Sequence, residues 1–406
     1  MNDSTQNKSH KSPQQSADSK IHGVGRLTID AVLAVTDIVE SLHSRISPLS
    51  GLHKKSEEEP LSGISGLVYR NIRNVTQWVG KNIDVPLEAI NKTLASEPDS
   101  ASAQTLLAAL NGVLGDYLFV RDNPLAILMH FRRDGQILTD EQLIEIINQS
   151  NGTLLIMAHG LCMNDIQWCR EGHDHGAELA KESGMAAIYL HYNSGRHISD
   201  NGKQFAALLE SLVQVTDKKL DINILAHSMG GLVSRSAFHV AQSSGHKWPE
   251  RLNKLVFLGT PHHGAALEKA GNWIDLILGA HAYTVPFARL VKVRSAGITD
   301  LRYGNVQQSD WHTTERFEFS GDQRQPVPLP DSVCCFAVAT SAKESIHYPL
   351  GDGLVRIKSA LGEHRNSVFH LQFPETHKWV GTHINHMQLL NDPEIYQVLR
   401  TWFEIH

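Results

Sequence analysis

From about residue 126 to the end of the chain, short apolar runs alternate with amphipathic stretches. TLLIMAH (153–159), AAIYLHY (186–192), DINILAH (221–227), LVFLG (255–259), VCCFAVA (333–339) and SVFHLQF (367–373) have the length of buried strands. Between and after them, the segments 175–183, 200–215, 229–242 and 393–405 repeat their apolar residues at helical spacing. Buried strands alternating with helices predict an α/β fold, a mostly parallel sheet with helices on both faces. Asp134-Gly135, between the extended runs of 126–138, predicts a hairpin. The stretch from about 265 to 330 breaks the alternation with helical pieces and a Pro-rich end. It is too long for a connection and is expected to be a helical lid insertion.

The amino-terminal quarter has a different texture. Residues 1–22 are polar and predict a disordered tail. Apolar residues at helical spacing predict helices over about 24–46 (Leu27, Val32, Val35, Val39, Leu42), 64–83 (Leu67, Ile72, Val75, Val79) and 103–119 (Leu106, Leu110, Val113). The expected organisation is the tail, a helical extension over 23–120 and the α/β domain over 121–406. The extension is expected to form a layer on that domain, with peripheral contact to a lipid or granule surface as the alternative.

Composition narrows the function classes. With 37 Lys+Arg against 43 Asp+Glu the net charge is −6, a mildly acidic balance that argues against a nucleic-acid binder, which needs a basic face. Four Cys (Cys162, Cys169, Cys334, Cys335) make neither a disulfide framework nor a C-x-x-C zinc pattern. The first apolar stretch, Leu27 to Leu42, carries Asp30, Asp37 and Glu40, which a secretory h-region or membrane span would not tolerate. A cytoplasmic protein with reduced thiols is the expectation.

The chemistry concentrates at Ala226-His227-Ser228-Met229-Gly230-Gly231, between a predicted strand and a predicted helix. A serine hydroxyl is a weak nucleophile and must be presented to a base and a carbonyl together. A sharp strand-to-helix turn does this, and it requires small residues two positions before and two after the serine, here Ala226 and Gly230. Such a turn works with two backbone N–H donors for the developing oxyanion, one from the residue after the nucleophile and one from an earlier strand's loop. Met229 and Leu161 are the candidates, in AHSMGG and in His159-Gly160-Leu161. Gly160 and His227 are expected beside them as substrate-binding residues, and His159 as structural. Segment 193–202 follows a strand end and is expected to face substrate. His262-His263 and the Glu171–His175 cluster are weighed as metal ligands, with a loop wall and a solvated helix start as the preferred readings.

HGL (159–161), AHSMGG (226–231), GTPHHG (259–264), GDGLV (351–355) and NHMQLL (385–390) occur in the order found in α/β-hydrolase lipases and esterases, which the chain from about Asn123 onward resembles. Bacterial triacylglycerol lipases and inositol-deacylase-like esterases look similar. The resemblance implies an acid and then a base downstream of Ser228. Asp352 matches the acid motif, with Glu344 as its alternative. His386 matches the base motif, with His383 and His377 as alternatives. The implied activity is carboxylic-ester hydrolysis through an acyl-serine, on a small-molecule or lipid ester with apolar acyl groups, with no cofactor and no metal. A thioesterase or amidase with the same triad, or a lipid-surface binding protein, are the alternatives.

Overall fold

The computed structural model describes residues 100–216, 218–265, 295–312, 324–347 and 351–405. The polar tail, the helices expected at 24–46 and 64–83, and the helical pieces expected between 266 and 294 lie outside the described residues. Contacts divide the chain into two units. Of the first, Met1–Ala103 with Asp122–Leu125, the described part includes a short turn in which Asn123 accepts a hydrogen bond from the Leu125 N–H (2.9 Å). The second, Gln104–Arg121 with Ala126–His406, holds the sheet.

The helix expected from 103 runs as α1, Ala101–Val120, and from Gln104 on it belongs to the unit with the sheet. The hairpin follows: β1 (His130–Arg133) and β2 (Gln136–Ile137) are joined by Asp134 and Gly135, both at positive φ (51° and 74°). Two consecutive left-handed residues match the twist of the paired strands, and Asp-Gly tolerates them best. A helix the apolar pattern did not predict, α2 (Asp140–Gln149), comes next. It starts at a reciprocal cap in which Thr139 accepts from Gln142 N and Gln142 accepts from Thr139 N.

The alternating region then appears in the expected order. It comprises β3 (Thr153–Ala158), α3 (His175–Ser183), β4 (Ala186–His191), α4 (Ile198–Gln214), β5 (Asp221–His227), α5 (Met229–Ser244) and β6 (Leu252–Leu258). After β6 come α6 (Ala296–Tyr303), α7 (Ser309–His312), β7 (Cys334–Ser341), α8 (Ile357–Ala360), β8 (Lys378–Thr382) and α9 (Pro393–Trp402). The sheet order is β2-β1-β4-β3-β5-β6-β7-β8, antiparallel at the hairpin and parallel from β4 to β8.

One expected strand is absent. SVFHLQF (367–373) forms a 3-10 turn at Ser367–Phe369 and then an irregular stretch. Leu371 and Phe373 are buried as covering side chains, and Leu371 N–H donates to Gly362 O rather than to a ladder. The last place in the sheet is taken by Lys378–Thr382, whose side chains are mostly half-buried, as suits an edge strand.

Alternate strand residues point to opposite faces, and both sets are buried. Leu155, Met157, Leu225, Val256, Leu258 and Val338 pack with Leu179 of α3 and with Ile395 and Leu399 of α9. Ile156, Ile188, Ile224 and Phe257 face the other way and are equally dry. On that side Gly231 of α5 lies so near Phe257 and Thr260 that a Cβ would collide with both. A parallel sheet covered on both faces puts its carboxyl ends in one row: Ala158 pairs with Ala226, His227 with Leu258, and Ser341 with Thr382. Ligand-binding crevices of open α/β sheets lie at that edge.

Candidate active site

Ser228 stands between β5 and α5 with φ 53° and ψ −122°. No ordinary region for an L-residue contains that pair, and such a conformation costs of order 1–3 kcal/mol. Two bonds hold it: Ser228 N–H donates to Leu258 O (2.9 Å), and Gly231 N–H donates to Ser228 O (3.1 Å). The neighbours must be small. A Cβ on Gly230 would collide with the carbonyls of Ala158 and His159, and Ala226 is fully buried. The serine side chain is therefore set at the carboxyl edge by the sheet itself.

Two further groups arrive from loops beyond β7 and β8. Asp352 precedes α8, and its Oδ1 accepts from Leu354 N (2.9 Å) and Val355 N (2.7 Å). Its Oδ2 is 2.7 Å from His386 Nδ1. The two loops are also joined by His386 N–H donating to Asp352 O (3.0 Å). A carboxylate only accepts, so His386 Nδ1 carries the proton and Nε2 keeps its lone pair. That Nε2 and Ser228 Oγ are both buried, and neither has a hydrogen-bond partner among the described residues. Gly259, at φ 57° just after β6, lies against the pair. A Cβ there would stand 3.1 Å from Asp352 Oδ2 and 3.3 Å from His386 Cε1, and would collide with Leu389.

His227, the residue before the serine, ties the two halves together. Its Nε2 donates to His386 O (3.1 Å), so this ring, expected beside substrate, holds the backbone of His386. Burial keeps this imidazole well below its ordinary pKa, and the adjacent His386 ring adds to the effect, so it stays neutral. Gly160 faces the same point. A methyl there would approach His227 Nδ1 to 3.1 Å and Ser228 Cβ to 3.2 Å, so the loop carrying Leu161 passes close to the serine. Met229 is the first residue of α5, where the N–H has no partner within the helix.

The remaining candidates have other surroundings. Glu344 and His383 are exposed. His377 Nδ1 hydrogen-bonds Cys335 O (3.1 Å). His159 is buried with its ring stacked on Tyr192, whose hydroxyl donates to the His159 carbonyl (2.8 Å); burial lowers its pKa to about 4. Asn193 and Ser194, expected to face substrate, are buried. Ser194 Oγ accepts from Cys162 N (3.0 Å), and Asn193 Nδ2 donates to Gly115 O (2.9 Å) of α1. His173 and His175 bond each other (2.8 Å) and His175 bonds Leu389 O. Among the described residues, no group of three or more His, Cys, Asp or Glu could hold a metal ion. All four Cys are free, Cys162 and Cys335 buried.

Sequence patterning overlooked α1 as part of this site. Gly112 and Gly115 sit three apart on its surface, where a Cβ would collide with Cys162 and with Asn193 respectively. Both contacts are with loops that follow β3 and β4. The Gly-x-x-Gly spacing was the available signal.

A family model described as Domain of unknown function (DUF7379) matches residues 128–300. No curated protein matches the chain significantly. Among solved structures, the mature lipase BlEst2 of Bacillus licheniformis is 19% identical, covers 61% of this chain and 90% of its own, and gives a TM-score of 0.41. Aspergillus fumigatus lipase B is 8% identical over 64% of this chain and 56% of its own, with a TM-score of 0.38. The RedJ thioesterase of prodiginine biosynthesis in Streptomyces coelicolor is 14% identical over 63% and 90%, with a TM-score of 0.37.

Proposed function

We propose that this protein is a serine hydrolase of carboxylic esters, with an α/β-hydrolase catalytic domain. The observation that carries the proposal is that one sheet edge carries both a serine on a strained strand–helix turn and a buried Asp352–His386 pair whose second imidazole nitrogen has no partner among the described residues. In the proposed reaction Ser228 Oγ attacks the ester carbonyl as His386 Nε2 takes the hydroxyl proton. Asp352 orients the ring and stabilises the imidazolium. The N–H groups of Met229 and Leu161 receive the negative charge on the carbonyl oxygen. His386 then protonates the departing alcohol, and water, activated by the same nitrogen, releases the acid from the acyl-serine.

The test combines a fluorophosphonate probe, which labels activated serines, with p-nitrophenyl esters from acetate to palmitate. Wild-type protein is expected to be labelled and to hydrolyse at least one ester. Ser228→Ala is expected to lose both, by about 10⁶-fold in kcat as for other triad serines. Labelling that survives in the variant would remove Ser228 from the mechanism. Acyl thioesters and anilides in the same panel identify the preferred leaving group.

A further inference from the structure

A second polar site lies past the end of β6. Arg235 of α5 is only 6% exposed. No carboxylate among the described residues forms an ion pair with it. Its Nη2 donates to Val327 O and its Nη1 to His262 Nδ1 (3.4 Å), and its Nε–H has no partner among the described residues. His262 is 1% exposed. Because its Nδ1 accepts from the guanidinium, its proton sits on Nε2, and that N–H is likewise unpartnered among the described residues. Buried donors in native proteins are nearly always satisfied, so two in contact require an explanation.

Both side chains line a half-open pocket of about 40 Å³, with Arg324, Asp310 and His263 also in its wall and Val368 and His370 exposed at its rim. That volume accommodates about three water-sized groups. Asp310 does not answer the donors. Its Oδ2 accepts from Val306 N (2.9 Å) and Gln307 N (3.0 Å), and its Oδ1 from Gln325 N (3.0 Å). Arg324 donates to His262 O (3.2 Å) and Gly304 O (3.1 Å), which fixes a second cation in the wall. Burial lowers the Arg235 pKa to about 10, with the Arg324 charge adding to the effect, and the group stays charged at neutral pH. Arg235 and His262 thus stand side by side in the wall, each with a buried N–H that has no partner among the described residues.

We propose that this pocket binds the phosphate group of a ligand, with its oxygens shared between Arg235 and His262. A planar carboxylate is matched by one guanidinium fork, whereas a tetrahedral anion has oxygens left for an imidazole N–H as well. The proposal is independent of the chemistry at Ser228, and its test reads binding rather than hydrolysis.

Full-length protein is titrated with inorganic phosphate at constant ionic strength and followed by Tm and by ³¹P line broadening, with acetate as the comparison. The expected result is a saturable rise in Tm and broadening that acetate does not reproduce. Arg235→Met and His262→Phe should each abolish the saturable rise while remaining folded. An unpaired buried cation contributes little to stability, and Phe at 262 would lie beside Phe257 and Phe373. If one variant fails to fold, the other decides. Absence of a wild-type response would overturn the proposal. So would an equal response to acetate, or a rise that persists without saturation in a folded variant, since that is the general effect of an excluded salt. Vesicles of phosphatidylcholine with and without phosphatidic acid identify the source. Arg235-dependent retention on the acidic vesicles assigns a lipid headgroup, and a response to free phosphate without retention assigns a soluble phosphate ester.

Discussion

The Asp352 carboxylate is held by three hydrogen bonds, two from backbone N–H groups and one from His386. An amide in its place could still accept from Leu354 and Val355, but its NH₂ would face His386 Nδ1. The imidazole would then carry its proton on Nε2, where the proposed mechanism needs a lone pair. Asp352→Asn is therefore expected to lower kcat on the preferred ester by about 10³- to 10⁴-fold with little change in KM. Steady-state kinetics on purified, folded variant checks this. A loss below tenfold would mean that Asp352 does not orient the base. The motif order offers Asp352, with Glu344, as a candidate, yet nothing in the sequence points to His227 as the donor to the His386 carbonyl. That bond joins residues 159 positions apart and exists only because β5 and the loop after β8 end together.

Elements set the site by where they stop. The six parallel strands from β3 to β8 end at one edge, which is why the loops carrying Leu161, Ser228, Asp352 and His386 share it. Helix α1 adds support from outside the alternating region. Its Gly112 presses on Cys162, which sits at φ 60° next to Leu161. Gly112→Ala would force those backbones apart, an overpacking cost of about 1–3 kcal/mol. Tm should fall, and kcat should fall more than a stability loss explains, because Leu161 moves with Cys162. Cys162→Gly in the same chain removes the colliding Sγ and suits the positive φ, so the double variant should recover part of both losses. Additive losses in the double-mutant cycle would show that the two residues do not couple. Helix α2 and strand β8 escaped the hydrophobic pattern for different reasons. The first is announced by its Thr139–Gln142 cap, and the second is a half-buried edge strand with little apolar signal.

Across the whole molecule, several histidines are buried in neutral form. Burial lowers His159 from 6.5 to about 4 and His175 to about 3, the latter helped by neighbouring His173. An unfolded chain takes up these protons near pH 6.5 while the folded chain refuses them. Stability is thus fully present above that pH and is lost as pH falls toward the folded values. For His159 alone the loss reaches roughly 3 kcal/mol by pH 4. Calorimetric Tm should be level above about pH 7 and decline steeply from there to pH 4, and His159→Phe should flatten part of the decline. A Tm independent of pH over that interval would contradict the burial of these rings.

The sequence by itself determined the α/β alternation, the Asp-Gly hairpin and the motif around Ser228, because helical and strand periodicity, turn chemistry and small-residue requirements are local. Through a family resemblance in motif order it also offered a few candidates for an acid and a base. Tertiary structure alone decided which segment completes the sheet, that α1 braces the loops beside the serine, and that His227 holds the backbone of His386. It also decided that Arg235 and His262 meet in one pocket. Each of these depends on contacts between distant segments, where the competition for a strand's edge or a buried donor's partner is settled by packing and leaves no local trace in the chain.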